Sequence, residues 1–407
     1  VAAQRTARII VVGGGFGGAT CARYLKLWAP NLDVTLVEPQ PAYTACPMSN
    51  RVLGGTFNLS DLTRDYTALS GSYGVRVVRA QVTDIDARGH TVRLDSGASL
   101  PWDRLVLAPG VAFRDETIAG LAQALNSGTV LHAWQGGSKQ IWTLRDRIER
   151  MRQGGVVALS IPKAPYRCPP GPYERAGLIA HFLKRNNPKA KILVFDANAD
   201  IIAKRDLFQG FWKQHYAGTL EYVPNAELLA VDGAKGLLRF KDQGEVRADV
   251  LNVIPPNSAP ALAQRAGLVP LGDRWCPVDF RSYESKLVPA IHIVGDAMAS
   301  APGLPKSGHM ANQAGKVCAA AIVAQLRGEP VPDQPVIANT CYSFVGAQEA
   351  MHVAAVYRFD AAKGTMVPVK ETVGTSSGPS VMEGVSAIGW VHNILYDTFG
   401  AKLALAI

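Results

Sequence analysis

Apolar residues in this chain gather in short continuous runs separated by glycine- and proline-rich breaks. That pattern belongs to strands buried on both faces, as in parallel sheets covered by helices. The first run, Arg8–Val12 (RIIVV), is followed by a glycine turn and a helical pattern over 19–27. A second strand is predicted over Asp33–Val37 (DVTLV), which makes the opening a βαβ unit. A further apolar strand at 105–107 runs into Ala108-Pro109-Gly110, and a helix of mixed charge is expected from about Ser138 to Arg152. Gly154-Gly155 then introduces a second set: a strand over Val156–Ile161, a loop, a helix over 174–184 and a strand over 191–195. A strand over 291–294 leads into Gly295-Asp296, and a long helix spans about 308–326. Pro330, Pro332 and Pro335 mark a linker; strands at 342–345 and 354–358, a Gly/Ser/Pro loop at 374–380 and a last helical stretch complete the chain.

These elements predict an α/β fold of two Rossmann-like dinucleotide-binding-type domains, the second inserted into the first, plus a C-terminal α+β domain. The expected boundaries are 1–115 with 255–330 for the first domain, 116–254 for the second and 331–407 for a C-terminal interface domain. With 407 residues, 48% of them hydrophobic and 18% charged, the chain has the balance of a multi-domain globular protein. No run approaches the roughly 20 apolar residues that span a bilayer. The net charge of +9 is spread along the chain, without basic runs interleaved with aromatics, so nucleic acid is not an expected partner. Such a surface is either simply solvated or turned toward an acidic partner protein. The chain starts Val1-Ala2-Ala3-Gln4 and meets its first strand a few residues later; the expectation is an exported protein, periplasmic, with its signal removed.

Gly13, Gly15 and Gly18 satisfy a G-x-G-x-x-G pattern placed after a strand and at the opening of a helix. The first glycine allows the tight turn, the second lets backbone approach a pyrophosphate, and the third lets the helix pack closely on its strand. The helix N-terminus then presents free N–H groups and partial positive charge to the phosphates. Glu38 ends the next strand about twenty residues after Gly18, where a carboxylate binds ribose hydroxyls. An FAD extends far beyond its pyrophosphate, and the segments ending in Gly110 and in Gly295-Asp296 are the expected returning strands, with Asp296 toward the ribityl chain or pyrophosphate. Lys306 and Ser307, at a helix start, are candidates for flavin edge contacts, Ser307 equally for a simple cap. In the second domain the loop Pro162-Lys163-Ala164-Pro165-Tyr166-Arg167-Cys168-Pro169-Pro170-Gly171-Pro172 has no such fingerprint, and its prolines lack N–H donors. No NAD is expected there, so electrons must enter by another route.

Six cysteines are too few for a disulfide scaffold. Cys46, Cys168 and Cys341 lie in loops or at element ends, where reactive groups concentrate. Cys21 and Cys318 fall on apolar helices and read as buried thiols, Cys276 is assigned a structural role, and Trp390 is expected in a core. The eight histidines show no metal-binding spacing.

Several stretches carry a family resemblance: VVGGGFGGAT, Cys168-Pro-Pro-Gly-Pro-Tyr-Glu-Arg, Trp275-Cys-Pro-Val-Asp, Val294-Gly-Asp-Ala, Pro305-Lys-Ser-Gly and Asn339-Thr-Cys-Tyr-Ser. With them the whole chain resembles the flavoprotein subunit of flavocytochrome c sulfide dehydrogenase, and less closely the sulfide:quinone reductases and glutathione-reductase-like flavoenzymes. The resemblance implies a glutathione-reductase-like fold and FAD held by a thioether from Cys46, although Ala45 and Pro47 beside it depart from the family's form. It also implies a redox disulfide between Cys168 and Cys341, with Glu174 as acid/base. Sulfide would be oxidised to persulfide or polysulfide sulfur, and electrons would pass through FAD to the haem of a c-type cytochrome subunit. This chain has no Cys-x-x-Cys-His site of its own, which leaves the haem to the partner. The residues leave open a membrane-associated sulfide:quinone reductase, for which the stretch from Trp390 to Asp397 is only mildly amphipathic and Leu403 to Ile407 a short apolar end, and a non-catalytic flavin protein.

Overall fold

The computed structural model describes residues 6–136 and 139–400. Strand β1 (Arg8–Val12), helix α1 (Phe16–Trp28) and strand β2 (Asp33–Val37) form the opening unit, with β1 and β2 parallel and in register from Arg8↔Asp33 to Val12↔Val37. α1 starts before the apolar periodicity indicates, because Gly17 and Gly18 lie in its first turn despite their poor helix propensity. Their presence there is steric: a Cβ on Gly18 would collide with the carbonyl oxygen of Gly13.

On the other side of β1 lies β3 (Arg104–Leu107), followed by the strand Ile291–Ile293, both parallel to it. Arg76–Val78 extends the sheet beyond β2. The strand ends are locked together: the Ala108 amide donates to the Val12 carbonyl at 2.8 Å and the Val294 amide to the Leu107 carbonyl at 3.1 Å. Their carboxyl ends open one crevice, the place where open α/β sheets bind ligands.

Helix α2 spans Gln140–Glu149, shorter at both ends than its pattern indicates; Ser138 lies outside the described residues. The second sheet follows, with β4 (Val156–Ile161), helix α3 (Gly171–Asn186) and β5 (Lys191–Asp196). Leu220–Val223 and Val250–Val253 flank β5 and β4, and all four strands are parallel. α3 begins at Gly171 rather than at Glu174, since Pro172 sits in the first turn, where its missing N–H costs no helical bond. Two antiparallel three-stranded meanders, within 82–101 and 228–247, were not legible in the sequence. Their strands are only three to five residues long and partly exposed, too short for a periodic signal.

After helix α4 (Gly308–Arg327) the chain forms β6 (Val336–Phe344), antiparallel to Ala350–Asp360, and then helix α5 (Val381–Phe399). Both strands are longer than their apolar cores at 342–345 and 354–358, since one face alternates with partly exposed positions. α5 returns onto the first domain. The Asp397 carboxylate accepts from the Tyr24 hydroxyl at 2.6 Å and the Asn312 amide at 2.8 Å, and pairs with the Lys316 ammonium at 2.7 Å. Among the described residues no helix is long and apolar enough to cross a membrane. The N-terminal Val1 to Gln4 and the apolar end from Leu403 to Ile407 lie outside the described residues.

Candidate active site

A cavity of about 1010 Å³ fills the crevice at the carboxyl ends of the first sheet. Its floor is the glycine loop. Gly13 takes φ +98°, and a Cβ there would strike the Ala108 carbonyl oxygen, so this turn needs glycine. Gly15 caps α1 without any side-chain acceptor, leaving the first N–H groups of the helix to a ligand. Glu38 stands at one end of the cavity; its carboxylate accepts from the Gly14 amide at 2.8 Å and the Gln40 amide at 2.9 Å. Gly110, Gly295 and Asp296 line the middle. Among the described residues the Asp296 carboxylate has no hydrogen-bond or ion-pair partner, and burial raises its pKa against the pull of Arg167 and Lys306. A long cleft with a glycine cradle, a helix N-terminus, a carboxylate at one end and an unpartnered carboxyl midway fits an FAD.

The far end of the cavity is lined by Cys46, Cys168, Cys341 and Glu174, which come from three separate segments, Cys168 and Glu174 sharing one. All six cysteines are unpaired thiols in this structure. Cys168 adopts φ +59°, a conformation uncommon for a residue with a side chain. It is held by its amide donating to the Lys306 carbonyl at 2.8 Å and by its carbonyl accepting from the Gly171 amide at 2.9 Å. Glycine at 171 makes room for this side chain, since a Cβ there would lie 2.7 Å from the Trp134 ring and 2.8 Å from the Cys168 sulfur and would force one of them to shift. Burial pushes the Cys168 thiol well above its ordinary pKa, and neighbouring Cys341 and Glu174 add to the rise.

Cys341 lies on β6, and burial raises its thiol too, but Lys204 opposes that rise. The Lys204 ammonium donates to the Cys341 carbonyl at 2.9 Å and to the Ser343 hydroxyl at 2.7 Å. Glu174, in the first turn of α3, accepts from the Asn50 amide at 2.8 Å and from the Phe344 backbone amide at 2.8 Å. Burial still raises its pKa, so the carboxyl is disposed to hold a proton.

Two placements differ from expectation. Cys341 lies within strand β6, paired opposite Val353, rather than in a loop or at an element end, because the alternating exposed positions 336–340 conceal the strand's start. Lys306 does not line the cavity. Its ammonium is spent on the carbonyls of Asp296 and Met298 and lies 3.7 Å from the centroid of the Trp275 ring. Ser307 is the cap, its hydroxyl accepting from the Met310 amide at 3.1 Å. Trp390 packs against the edge of the core and also lines the cavity, edge-on to His309 at 5.8 Å and near Tyr342 at 6.0 Å. An indole needs large contact area, and the wall of a cleft supplies it as well as a core does. Gly18 packs α1 against the loop and does not itself line the cavity.

Sequence reasoning passed over Arg167, Lys204 and His309. Arg167, beside Cys168, lines the cavity and has its pKa raised by the surrounding acidic groups despite burial. His309 accepts the Thr340 amide at Nδ1 at 2.9 Å, and burial lowers it to about 4, so its ring is neutral. Adjacency to Cys168 was a usable signal for Arg167; nothing local marks Lys204. Among the described residues no group of three His, Cys, Asp or Glu side chains is arranged to hold a metal. A second recess, about 700 Å³ between 55–61 and α2, contains no cysteine.

Three family models cover most of the chain: pyridine nucleotide-disulphide oxidoreductase over 7–143, the central part of the sulfide dehydrogenase (flavocytochrome c) flavoprotein chain over 142–255, and the flavocytochrome c sulphide dehydrogenase flavin-binding part over 333–399. The sulfide dehydrogenase flavoprotein chain of Chlorobaculum thiosulfatiphilum is 57% identical over 47 residues, which is 12% of this chain and 98% of that sequence. The chain belongs to the sulfide dehydrogenase and sulfide:quinone reductase family of FAD-binding flavoproteins. Within this family the mitochondrial sulfide:quinone oxidoreductase of Mus musculus is 25% identical over 312 residues, 71% of this chain and 65% of the mouse protein's length. The crystal structure of the sulfide:quinone oxidoreductase from Aquifex aeolicus superposes with a TM-score of 0.82 at 19% identity, covering 98% of this chain and 93% of that one. Cys168 and Glu174 fall in the central segment and Cys341 and Trp390 in the flavin-binding segment of the family.

Proposed function

We propose that the chain is the sulfide-oxidising flavoprotein subunit of a periplasmic flavocytochrome c, with FAD linked through Cys46 and electrons leaving to a c-type cytochrome subunit. The observation that carries this reading is that Cys46, Cys341 and the Cys168–Glu174 stretch, remote from one another in sequence, line the same cavity as the glycine loop.

In the oxidised enzyme Cys168 and Cys341 form a disulfide. Hydrosulfide attacks one of its sulfurs, the S–S bond breaks, a persulfide forms and the electron pair leaves on the other cysteine as a thiolate. Lys204 keeps positive charge beside Cys341, and Glu174 exchanges protons with sulfur as the charge moves. Asp296 and the N-terminus of α1 hold the cofactor, and Trp390, Tyr342 and His309 close the wall beside the cysteines. FAD, when bound, supplies the electron acceptor, taking a pair and passing electrons on singly. The second domain carries no nucleotide in this reading, since Asp196, at the strand end where ribose would sit, is fully buried and accepts from the hydroxyls of Tyr173 and Tyr222.

Anaerobic addition of sulfide to the FAD-loaded protein is expected to bleach the flavin absorbance; an unbleached flavin would remove sulfide as substrate. A quinone acceptor is the second reading, favoured by the exposed apolar residues Val381, Met382 and Val385 on α5, the helix that carries Trp390. Reoxidation by cytochrome c but not by a short-chain quinone is the expected outcome, and the reverse would transfer the assignment to the quinone reductases.

A further inference from the structure

Beside the main cavity lies a small chamber with about 20 Å³ of room, enough for one water-sized guest. Cys46, Gln135, Gly136, Arg167 and Cys168 border both spaces, whereas Cys341 and Glu174 face only the larger one. Among the described residues the chamber wall includes two arginines, Arg167 and Arg175, and no Asp or Glu. Arg175 is buried, and its hydrogen bonds go to neutral oxygens: the Ala133 carbonyl, the His132 carbonyl at 2.8 Å and the side chains of Asn252 and Asn50, each at 3.0 Å. Its guanidinium also lies 4.6 Å from the centroid of the Trp134 ring. Arg167 likewise donates to the Trp134 carbonyl. The nearest carboxyls, Asp296 for Arg167 and Glu174 for Arg175, offset part of this positive charge but stand outside the chamber lining. The space therefore favours an anion, and its size limits that anion to a single heavy atom.

We propose that this chamber is the seat of the hydrosulfide anion and the size filter of the enzyme, delivering its substrate to Cys168. The inference rests on the sulfide-oxidation reading and deepens it. From the chamber HS⁻ reaches the Cys168 sulfur and not that of Cys341. Its lone pair forms the new S–S bond, the Cys168–Cys341 bond breaks, and the released pair stays on Cys341 as thiolate next to Lys204. The product is a Cys168 persulfide that keeps the proton of HS⁻, with no other reactant needed. Arg167 and Arg175 are positioning residues for the anion, and Cys168 borders the chamber as well as the main cavity.

The test uses the FAD-loaded protein mixed anaerobically with one equivalent of sulfide, quenched rapidly with an alkylating reagent and digested. The extra sulfur atom is expected on the peptide carrying Cys168; finding it on the Cys341 peptide overturns the chamber while leaving sulfide oxidation intact. Flavin that stays unbleached overturns sulfide oxidation itself. Methanethiolate, larger by one methyl group, is expected to bleach the flavin at least about tenfold more slowly than hydrosulfide; equal rates overturn the size filter. Leu59→Phe and Ile141→Phe each fill the chamber from a different wall. Either is expected to slow bleaching by sulfide about tenfold or more while reduction by dithionite is unchanged. Wild-type sulfide kinetics in a variant that retains its flavin spectrum overturn the proposal, and the sulfur mapping on unaltered protein needs neither variant to fold.

Discussion

The two Rossmann-like domains start from the same plan, strand, helix and parallel strand, and end in opposite uses. In the first, glycines from Gly13 to Gly18 keep the strand-to-helix turn free of side chains, and Glu38 at the end of β2 faces an open cavity. In the second, the turn between β4 and α3 is rich in proline and sends Arg167 and Cys168 into the first domain's cavity. The matching acidic residue, Asp196 at the end of β5, is sealed: Tyr173 donates to it at 2.7 Å, Tyr222 at 2.8 Å and the Asn198 side chain at 2.7 Å. A βαβ scaffold therefore does not itself bind a nucleotide. Binding depends on whether the turn exposes backbone N–H groups and whether the strand-end carboxylate keeps lone pairs to offer.

The largest expected effect lies on the redirected loop. Cys168→Ser should slow flavin bleaching by sulfide by about a thousandfold or more in stopped-flow measurements, since it removes a reacting atom. The variant should still bind FAD; unchanged bleaching would deny the second domain its part in the chemistry. Gly18→Ala attacks the first domain's turn, where the new methyl meets the Gly13 carbonyl. It is expected to weaken FAD binding about a hundredfold, equivalent to about 3 kcal/mol, read as flavin content after dialysis.

Tyr173→Phe tests the seal on Asp196. Losing one hydrogen bond to a buried carboxylate should cost about 1–3 kcal/mol in denaturant unfolding, with sulfide-driven bleaching retained. Flavin reduction by NADH in this variant would mean that the two domains differ by a single plug. The smallest effect concerns pH. Burial lowers His132, beside the second domain's sheet, and His309, in the first domain's cavity, from 6.5 to about 4. Between these values the unfolded chain binds more protons than the folded one, so the stabilisation is complete above pH 6.5 and is lost as pH falls toward 4. Tm should drop over that window. His309→Asn, which can still accept the Thr340 amide, should make the drop shallower; an unaltered slope would leave it to the second domain.

Much of the first domain was legible because its signals are local. The runs Arg8–Val12 and Asp33–Val37 match their strands to the residue, and the glycine pattern has its meaning within one turn. The second sheet was equally readable at Val156–Ile161. The site was legible only where a residue type is rare enough to stand out, as with Cys46, Cys168, Cys341 and the Glu174 that follows Cys168, although Cys341 proved to lie in a strand and not a loop. Lys306 illustrates the limit: a lysine at a helix start beside a cofactor loop suits a ligand contact, yet its ammonium was captured by two backbone carbonyls. Trp390 shows the converse, an aromatic expected in a core that also lines the cavity.

What the sequence by itself determined is the βαβ order, the FAD cradle and the set of reactive side chains, because strand patterning and turn chemistry act over a few residues. Only the tertiary structure decided which of those groups meet. Cys46, Cys168 and Cys341 share a cavity end because the inserted sheet sends its first turn, and the C-terminal layer its strand β6, back over the carboxyl ends of the first sheet. The charges around them, Lys204 beside Cys341 and Arg167 with Arg175 beside Cys168, follow from that long-range packing. No local pattern encodes it, because burial and neighbouring charge are properties of the assembled fold.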